Sequence, residues 1–302
     1  MYKSGFATII GRPNVGKSTL MNHMIGQKIA ITSKRPQTTR NRIETVLSTE
    51  EGQIVFLDTP GMIRKTENRL GDYLMDVSTS TIADADVVLW LIDPSTYIGE
   101  GDKQIAELLK KSGKPVILVI NKTDTIDKAH IKTIILAWEK VLPFSDIVAV
   151  SALRNLNVDA VVDSILRLLP EGPQYYDEET VTDQNMRQIA SEIIREKALR
   201  ALNEEVPHGI AVVIDTYKEE PTLTRIEATI ITEKDSHKGI IIGKGGSMLK
   251  RIGTAARYDL EEMTGTKVFL KLFVKVRKNW RDNEGDLRDF GYERKKDGGK
   301  RR

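Results

Sequence analysis

The sequence predicts an α/β domain, its sheet mostly parallel with helices on both faces, followed by a smaller α+β domain. Short apolar runs alternate with longer amphipathic stretches up to about residue 170. A glycine-bearing loop stands directly after the first of those runs. The rhythm then breaks at PEGPQYYDEETVTDQN, and β-rich runs and helices follow in a different order. Strands alternating with helices imply parallel pairing, with ligands held at the carboxyl ends of the strands.

The apolar runs of the first part are Phe6–Ile10, Ile54–Leu57, Val87–Ile92, Val116–Ile120 and Ile147–Val150. Between them lie helical patterns such as Lys103–Lys111 and Ile131–Val141. The proline, glycine and acid of the next stretch read as a linker. After it come a long helix, Gln188–Asn203, and the β runs Ile210–Tyr217, Leu223–Thr232 and Val268–Val276, with a glycine-broken helical segment before the last. The expected organisation is 1–170 for the first domain, 171–187 for the linker, 188–279 for the second domain and 280–302 for a basic tail.

A chain of 302 residues suits two domains, and 40% apolar with 29% charged residues is a globular balance. It holds no cysteine, which excludes disulfides, cysteine zinc sites and thiol catalysis. No apolar run has the length of a membrane span, and the opening MYKSGF resembles no targeting signal, so a cytoplasmic protein is expected. Charge is uneven. From Lys267 onward 13 Lys and Arg face 6 Asp and Glu, an excess of 7; the net +3 therefore leaves −4 on residues 1–266. A basic end suits a polyanionic partner or a solvated tail.

Gly11, Arg12, Pro13, Asn14, Val15, Gly16, Lys17, Ser18 and Thr19 form the pattern G-x-x-x-x-G-K-S-T between a strand and a helix. Glycines let the backbone N–H groups turn toward phosphate oxygens, and the helix N-terminus adds its dipole. Lys17 would reach the β- and γ-phosphates and the Ser18 hydroxyl would ligate Mg²⁺. Asp58, Thr59, Pro60 and Gly61 follow the next run; Asp58 would hold Mg²⁺ and the Gly61 N–H would meet a γ-phosphate. The polar stretch Ser33–Arg42 reads as a mobile loop in which Thr39, with Thr38 the other candidate, closes over metal and phosphate. Lys17, Thr39 and Gly61 are thus the candidate catalytic residues.

Asn121, Lys122, Thr123 and Asp124 follow the run Val116–Ile120. A carboxylate at Asp124 can accept two hydrogen bonds from guanine, which adenine cannot offer on that edge. Asn121 would tie this loop to the phosphate loop, Lys122 would lie over the base, and Ser151 and Ala152 would give a backbone N–H to the guanine carbonyl. GTP and GDP are the expected ligands. Met62 stands where a water-orienting glutamine serves other enzymes, and a thioether cannot do that work. No compelling arginine finger stands out, Arg40 and Arg42 being candidates only, and slow intrinsic turnover that a partner or K⁺ could raise is expected.

Gly243, Lys244, Gly245 and Gly246 sit between IIIG and MLKRI at helical spacing. A turn without side chains lets the backbone approach a sugar-phosphate chain; Lys244, Lys250 and Arg251 add charge. Trp280, at the foot of the basic strand, is either a packing residue or a base-stacking one. The four histidines, His23, His130, His208 and His237, show no metal spacing.

GRPNVGKS, QTTR, DTPG, NKTD and VSA resemble the G-domain of the translation-factor class of GTPases, in the Era-like branch that assembles ribosomes. IIIGKGGSMLKRI resembles the core of a type II KH domain, and ASEIIREKALR and FVKVRKNWRD extend the likeness to nearly the whole chain. The resemblance implies a GTPase domain followed by a KH domain. It further implies GTP hydrolysis with Mg²⁺, a K⁺ ion on Asn14, and a monomer. The implied partners are the single-stranded 3′ region of small-subunit (16S) ribosomal RNA and the small subunit itself, with the nucleotide state gating RNA binding. It also implies peripheral association with the cytoplasmic face of the membrane. Thr45, where similar sequences carry glycine, and MIRKTEN after DTPG depart from the usual pattern. The other function class left open is a regulatory GTPase whose second domain binds protein or membrane.

Overall fold

The computed structural model describes residues 1–27, 43–58, 68–202 and 209–292. The chain divides into two compact units, with the main division between Asp183 and Gln184. The first unit runs β1 (Lys3–Ile10), α1 (Lys17–Ile25), β2 (Ile43–Ser48), β3 (Gly52–Asp58), α2 (Arg69–Asp84), β4 (Val87–Ile92), α3 (Glu100–Ser112), β5 (Val116–Ile120), α4 (Lys128–Trp138), β6 (Asp146–Ala149) and α5 (Asp159–Leu168). Its six strands lie in the order β2-β3-β1-β4-β5-β6, all parallel except β2. The runs in β3, β4 and β5 are buried at every position because helices cover both faces. Leu20, Met21 and Ile165 fill one side against Ile9, Phe56 and Leu89. Ile105, Leu109, Ile134 and Trp138 fill the other against Val88, Trp90 and Leu118. Trp90 and Trp138 meet edge to face at 5.2 Å, as packing residues.

The apolar runs do not reveal β2, whose six residues IETVLS mix charge and hydroxyls. As the antiparallel edge it exposes one row of backbone groups, and the connector covers that row. The Val46 N–H donates to the Val181 carbonyl (2.9 Å) and Thr45 bridges Thr182. The Glu44 N–H donates to the Asp183 carboxylate (3.1 Å), and the Asp183 N–H returns a bond to the Glu44 carbonyl (3.2 Å). Tyr176 Oη donates to Glu44 (2.7 Å), and the N–H groups of Tyr175 and Tyr176 both donate to Gln53 Oε1. Residues 171–183 are thus laid along the first unit rather than hanging between two.

The second unit runs α6 (Met186–Ala201), β7 (Ala211–Glu219), β8 (Leu223–Thr232), α7 (Asp235–Ile242), α8 (Ser247–Thr264), β9 (Lys267–Val276) and α9 (Glu284–Asp289). Helix α6 starts at a reciprocal cap: Asn185 accepts from the Gln188 N–H (3.0 Å), and Gln188 accepts from the Asn185 N–H (3.1 Å). Strands β7 and β8 pair antiparallel, while β8 and β9 run parallel with Leu223 beside Lys267 and Thr232 beside Val276. Helices α6 and α8 cover one face, where Ile193, Ile194, Ile252, Ala256 and Leu260 pack on Ile226, Ala228, Ile230 and Val268. The opposite face carries exposed side chains from alternate positions of β9.

Trp280 belongs to this core. It is fully buried, its indole N–H donates to the Gly209 carbonyl (3.0 Å), and Phe290 and Tyr292 pack on it. The base-stacking alternative for Trp280 is therefore corrected: the ring has no face open to a base. Among the described residues no helix is long and apolar enough to cross a membrane.

Candidate nucleotide site and nucleic-acid interface

The phosphate loop leaves β1 at Ile10 and enters α1 at Lys17. Two of its residues must be glycine. Gly11 has φ +150°, and a Cβ there would lie 2.4 Å from the Leu91 carbonyl oxygen. Gly16 has φ +102°, and a Cβ there would lie 2.3 Å from Asn121 Nδ2. Asn14 also takes a left-handed backbone (φ 66°) and exposes its side chain, while Val15 is buried and anchors the loop. Pro13 is half-buried before them, and Ser18 and Thr19 occupy the first turn of α1.

Lys17 is buried, and its ammonium donates to the carbonyls of Gly11 (3.2 Å) and Arg12 (3.1 Å). Burial lowers its pKa to about 8, while the charge of Asp58 pulls it back up. Asp58 ends β3 directly beside Ile9 in the ladder, so the strand pairing sets an acid next to the phosphate loop. Arg12 is held from outside the loop: its Nε lies 3.2 Å from Asp102. That carboxylate is fully buried and also accepts the Gly99 N–H (2.9 Å) at the start of α3.

Asn121 joins the loops. Its Nδ2 donates to the Val15 carbonyl (2.8 Å) and its Oδ1 accepts the Ala152 N–H (2.9 Å). One buried amide thereby fixes the phosphate loop, the loop after β5 and the loop after β6 to one another. Lys122, at φ 59°, extends across to the Asn14 carbonyl (2.8 Å) and pairs with Asp93 (2.7 Å). Thr123 opens a single 3₁₀ turn. Asp124 is exposed and accepts the buried Ser151 hydroxyl (2.5 Å), which fixes the direction of its carboxylate.

The structure therefore brings Gly11 to Thr19, Asp58, Asn121 to Asp124, Ser151 and Ala152 to one end of one sheet. Thr38, Thr39, Arg40, Arg42, Thr59, Pro60, Gly61 and Met62 lie outside the described residues. Sequence reasoning missed Asp93 and Asp102. Asp93 directly follows the run of β4, the same strand-end position that drew attention to Asp58. Asp102 gave no such signal, since its partner Arg12 is distant in the chain.

In the second unit, Gly243 ends α7 and Ser247 begins α8. Gly243, Gly245 and Gly246 have φ 72°, 59° and 79°. A Cβ on Gly243 would meet Met248 at 2.7 Å, whereas nothing lies within 4 Å of one on Gly245 or Gly246. The outer two glycines of the turn face open space, with Lys244, Lys250 and Arg251 exposed around them. Ile240, 49% exposed, adds an apolar contact beside the loop that the sequence did not single out.

Comparison with known proteins finds a GTPase profile followed by a KH profile. The profile of 50S ribosome-binding GTPases matches residues 6–122, and that of the KH domain matches residues 205–281. The GTPase Era of Clostridium kluyveri is 48% identical over 97% of this chain and all of its own length. That of Clostridium botulinum is 51% identical over 98% of this chain and all of its own. A crystal structure of a point variant of Aquifex aeolicus Era bound to GDP·AlF4⁻ superposes with a TM-score of 0.93 at 40% identity, covering 96% of this chain and 99% of that one. A crystal structure of Era with MgGDPNP and nucleotides 1506–1542 of 16S ribosomal RNA gives 0.94 at 40% identity, covering 97% and 99%. A phosphate loop and a guanine-type base loop locked by Asn121, a KH domain after them, and half of all positions shared along the full length lead to one conclusion: this chain belongs to the Era family of GTPases.

Proposed function

We propose that this protein binds and hydrolyses GTP at the strand ends of its first unit and binds the 3′ region of small-subunit ribosomal RNA through Gly243–Gly246, acting in assembly of that subunit. The observation that carries the nucleotide reading is the double hydrogen bond of Asn121, which sets phosphate and base recognition at a fixed separation. The RNA reading is supported by the open left-handed Gly245 and Gly246 directly after the exposed Lys244, and by the Era structure that holds a 16S fragment.

Within this reading the loop N–H groups from Asn14 to Thr19 receive the phosphates and Lys17 exchanges the two carbonyls for phosphate oxygens. Asp124, aimed by Ser151, accepts from the guanine ring and amine; Lys122 flanks the base. Ser18 and Asp58 are hard oxygen donors of the kind Mg²⁺ selects, and Thr39 would complete the set. When bound, Mg²⁺ neutralises charge on the β- and γ-phosphates. Asn14 is the proposed K⁺ ligand, and turnover measured in K⁺ against Na⁺ checks it: equal rates remove potassium from the proposal. The protein acts as a cytoplasmic monomer; its first domain takes in the connector up to Asp183 rather than ending at 170, and its second starts from Gln184 and includes Trp280 and α9 rather than ending at 279.

The test is binding of the intact chain to a single-stranded oligonucleotide from the 3′ end of 16S RNA, with GDP and with a non-hydrolysable GTP analogue, beside Gly245→Asp. Tighter binding with the analogue, lost in the variant, is expected. Binding that ignores the nucleotide and survives the substitution would refute gating by GTP through this loop.

A further inference from the structure

The face of the second-unit sheet turned away from α6 and α8 is not an ordinary solvent face. Strand β9 reads KVFLKLFVKV, and its two sets of side chains separate cleanly. Leu272 points to α8, where it lies 3.4 Å from the Cβ position of Gly253, and Val268 is buried in the core. The alternate set, Lys267, Phe269, Lys271, Phe273 and Lys275, is exposed on the other side. Phe269 and Phe273 are 49% and 42% exposed.

Lysines alone would need no explanation, since edge strands use them against unwanted pairing. Two half-exposed phenylalanines alternating with them do, because the solvated face of a one-sided sheet is expected to be polar. The rings are set in cationic surroundings. Arg225, opposite Phe269 in the ladder, places its guanidinium 5.8 Å from that ring centre, and the Lys271 ammonium lies 4.9 Å from the Phe273 centre. Three acids share this part of the face, each with a partner: Glu227 reaches Lys271 at 3.8 Å, Glu220 holds Arg225 at 3.0 Å, and Asp215 accepts the Thr229 hydroxyl at 2.7 Å. Residues two apart on a strand are separated by about 7 Å, so the stripe offers a ring, a cation and a second ring within about 13 Å.

We propose that this face is a second RNA-binding surface, on which Phe269 and Phe273 stack the bases of a single strand while Lys267, Lys271 and Lys275 hold its phosphates. Sheets that present aromatic residues stack bases in this way, and base–aromatic stacking tolerates any sequence because every base has a π-face. The surface lies across the sheet from Gly243–Gly246, so it would engage a different stretch of the strand. The inference rests on the RNA-binding reading above, and it adds a site that the glycine loop does not supply.

The test uses the full chain and a fluorescent twelve-nucleotide oligouridylate, titrated at several salt concentrations. Four proteins are compared: the natural sequence, Lys244→Asp/Gly245→Asp, that variant with Phe269→Leu/Phe273→Leu added, and that variant with Lys267→Gln/Lys271→Gln/Lys275→Gln added instead. The loop variant should keep salt-sensitive binding, and the added leucines should weaken it about tenfold or more. Lys267→Gln/Lys271→Gln/Lys275→Gln should lower the slope of log K against log salt by about 2. Thermal unfolding of each variant checks that the fold is intact. Photo-crosslinking of the natural protein to 4-thiouridine RNA gives a reading free of substitutions and should label the peptide holding Phe269 and Phe273. Complete loss of binding in the loop variant, unchanged affinity after the leucine substitutions, or no crosslink in β9 would overturn the proposal and leave the face to a protein partner. Failure of the natural protein to bind RNA at all would instead overturn the RNA reading itself.

Discussion

Lys17 is where burial and charge oppose each other most directly. Its ammonium has lost water, which lowers its pKa to about 8, with Asp58 opposing the fall. Between about pH 8 and the ordinary lysine value, the unfolded chain binds a proton that the nucleotide-free folded chain does not. This group therefore makes the nucleotide-free protein more stable as pH rises through that window. Nucleotide binding has the opposite sign, because phosphates need the ammonium. GDP affinity should fall above about pH 8, approaching tenfold per pH unit, and the dependence should flatten in Lys17→Met; calorimetric titration across the range decides it. Asp124 gives a second expectation at this scale. Asp124→Asn exchanges an acceptor for a donor and should cost GTP at least a hundredfold in affinity, while xanthosine triphosphate, which offers a carbonyl in place of the amine, should gain. These residues were legible in the sequence because each stands at a strand end in a short motif. Arg12–Asp102 and Lys122–Asp93 were not, because both pairs join elements that only the sheet brings together.

Helix α3 and the turn between α7 and α8 carry the predictions that belong to elements. Asp102 serves two elements, accepting the Gly99 N–H that opens α3 and facing Arg12 of the phosphate loop. Asp102→Asn should lower stability by about 1–2 kcal/mol in urea unfolding and weaken GDP binding more than Arg12→Lys does. The glycine turn should show a graded response. Gly243→Ala meets Met248 in a backbone region closed to other residues, whereas Gly245→Ala meets nothing and pays only for left-handed φ, about 1–2 kcal/mol. A lower melting temperature for the Gly245 variant than for the Gly243 variant would contradict this account. At this scale the buried strands were readable as apolar runs. Strand β2 was not, since IETVLS owes its conformation to pairing with β3 and the connector rather than to any pattern of its own. Trp280 shows the converse: its place beside a basic strand suggested RNA, and its burial against Gly209 comes from chain return that no local pattern announces.

For the molecule as a whole, two units with separate cores were plain from the change of rhythm after Pro170. The composition of residues 171–187 reads as a linker, and composition cannot see that the row of backbone groups on β2 needs a partner. Residues 180–183 supply it, and β2 is the strand entered from the stretch that holds Thr39. Inserting Gly-Ser-Gly-Ser after Gln184 should therefore leave GDP affinity within about twofold while narrowing the difference in RNA affinity between the GDP and GTP-analogue states. An undiminished difference would show that the connector carries no part of the coupling. Asp183 is bonded to Glu44, Asn185 is the cap of α6, and only Gln184 stands between them. Along the chain, the last anchor on β2 and the first capping bond of α6 are separated by the length of one residue.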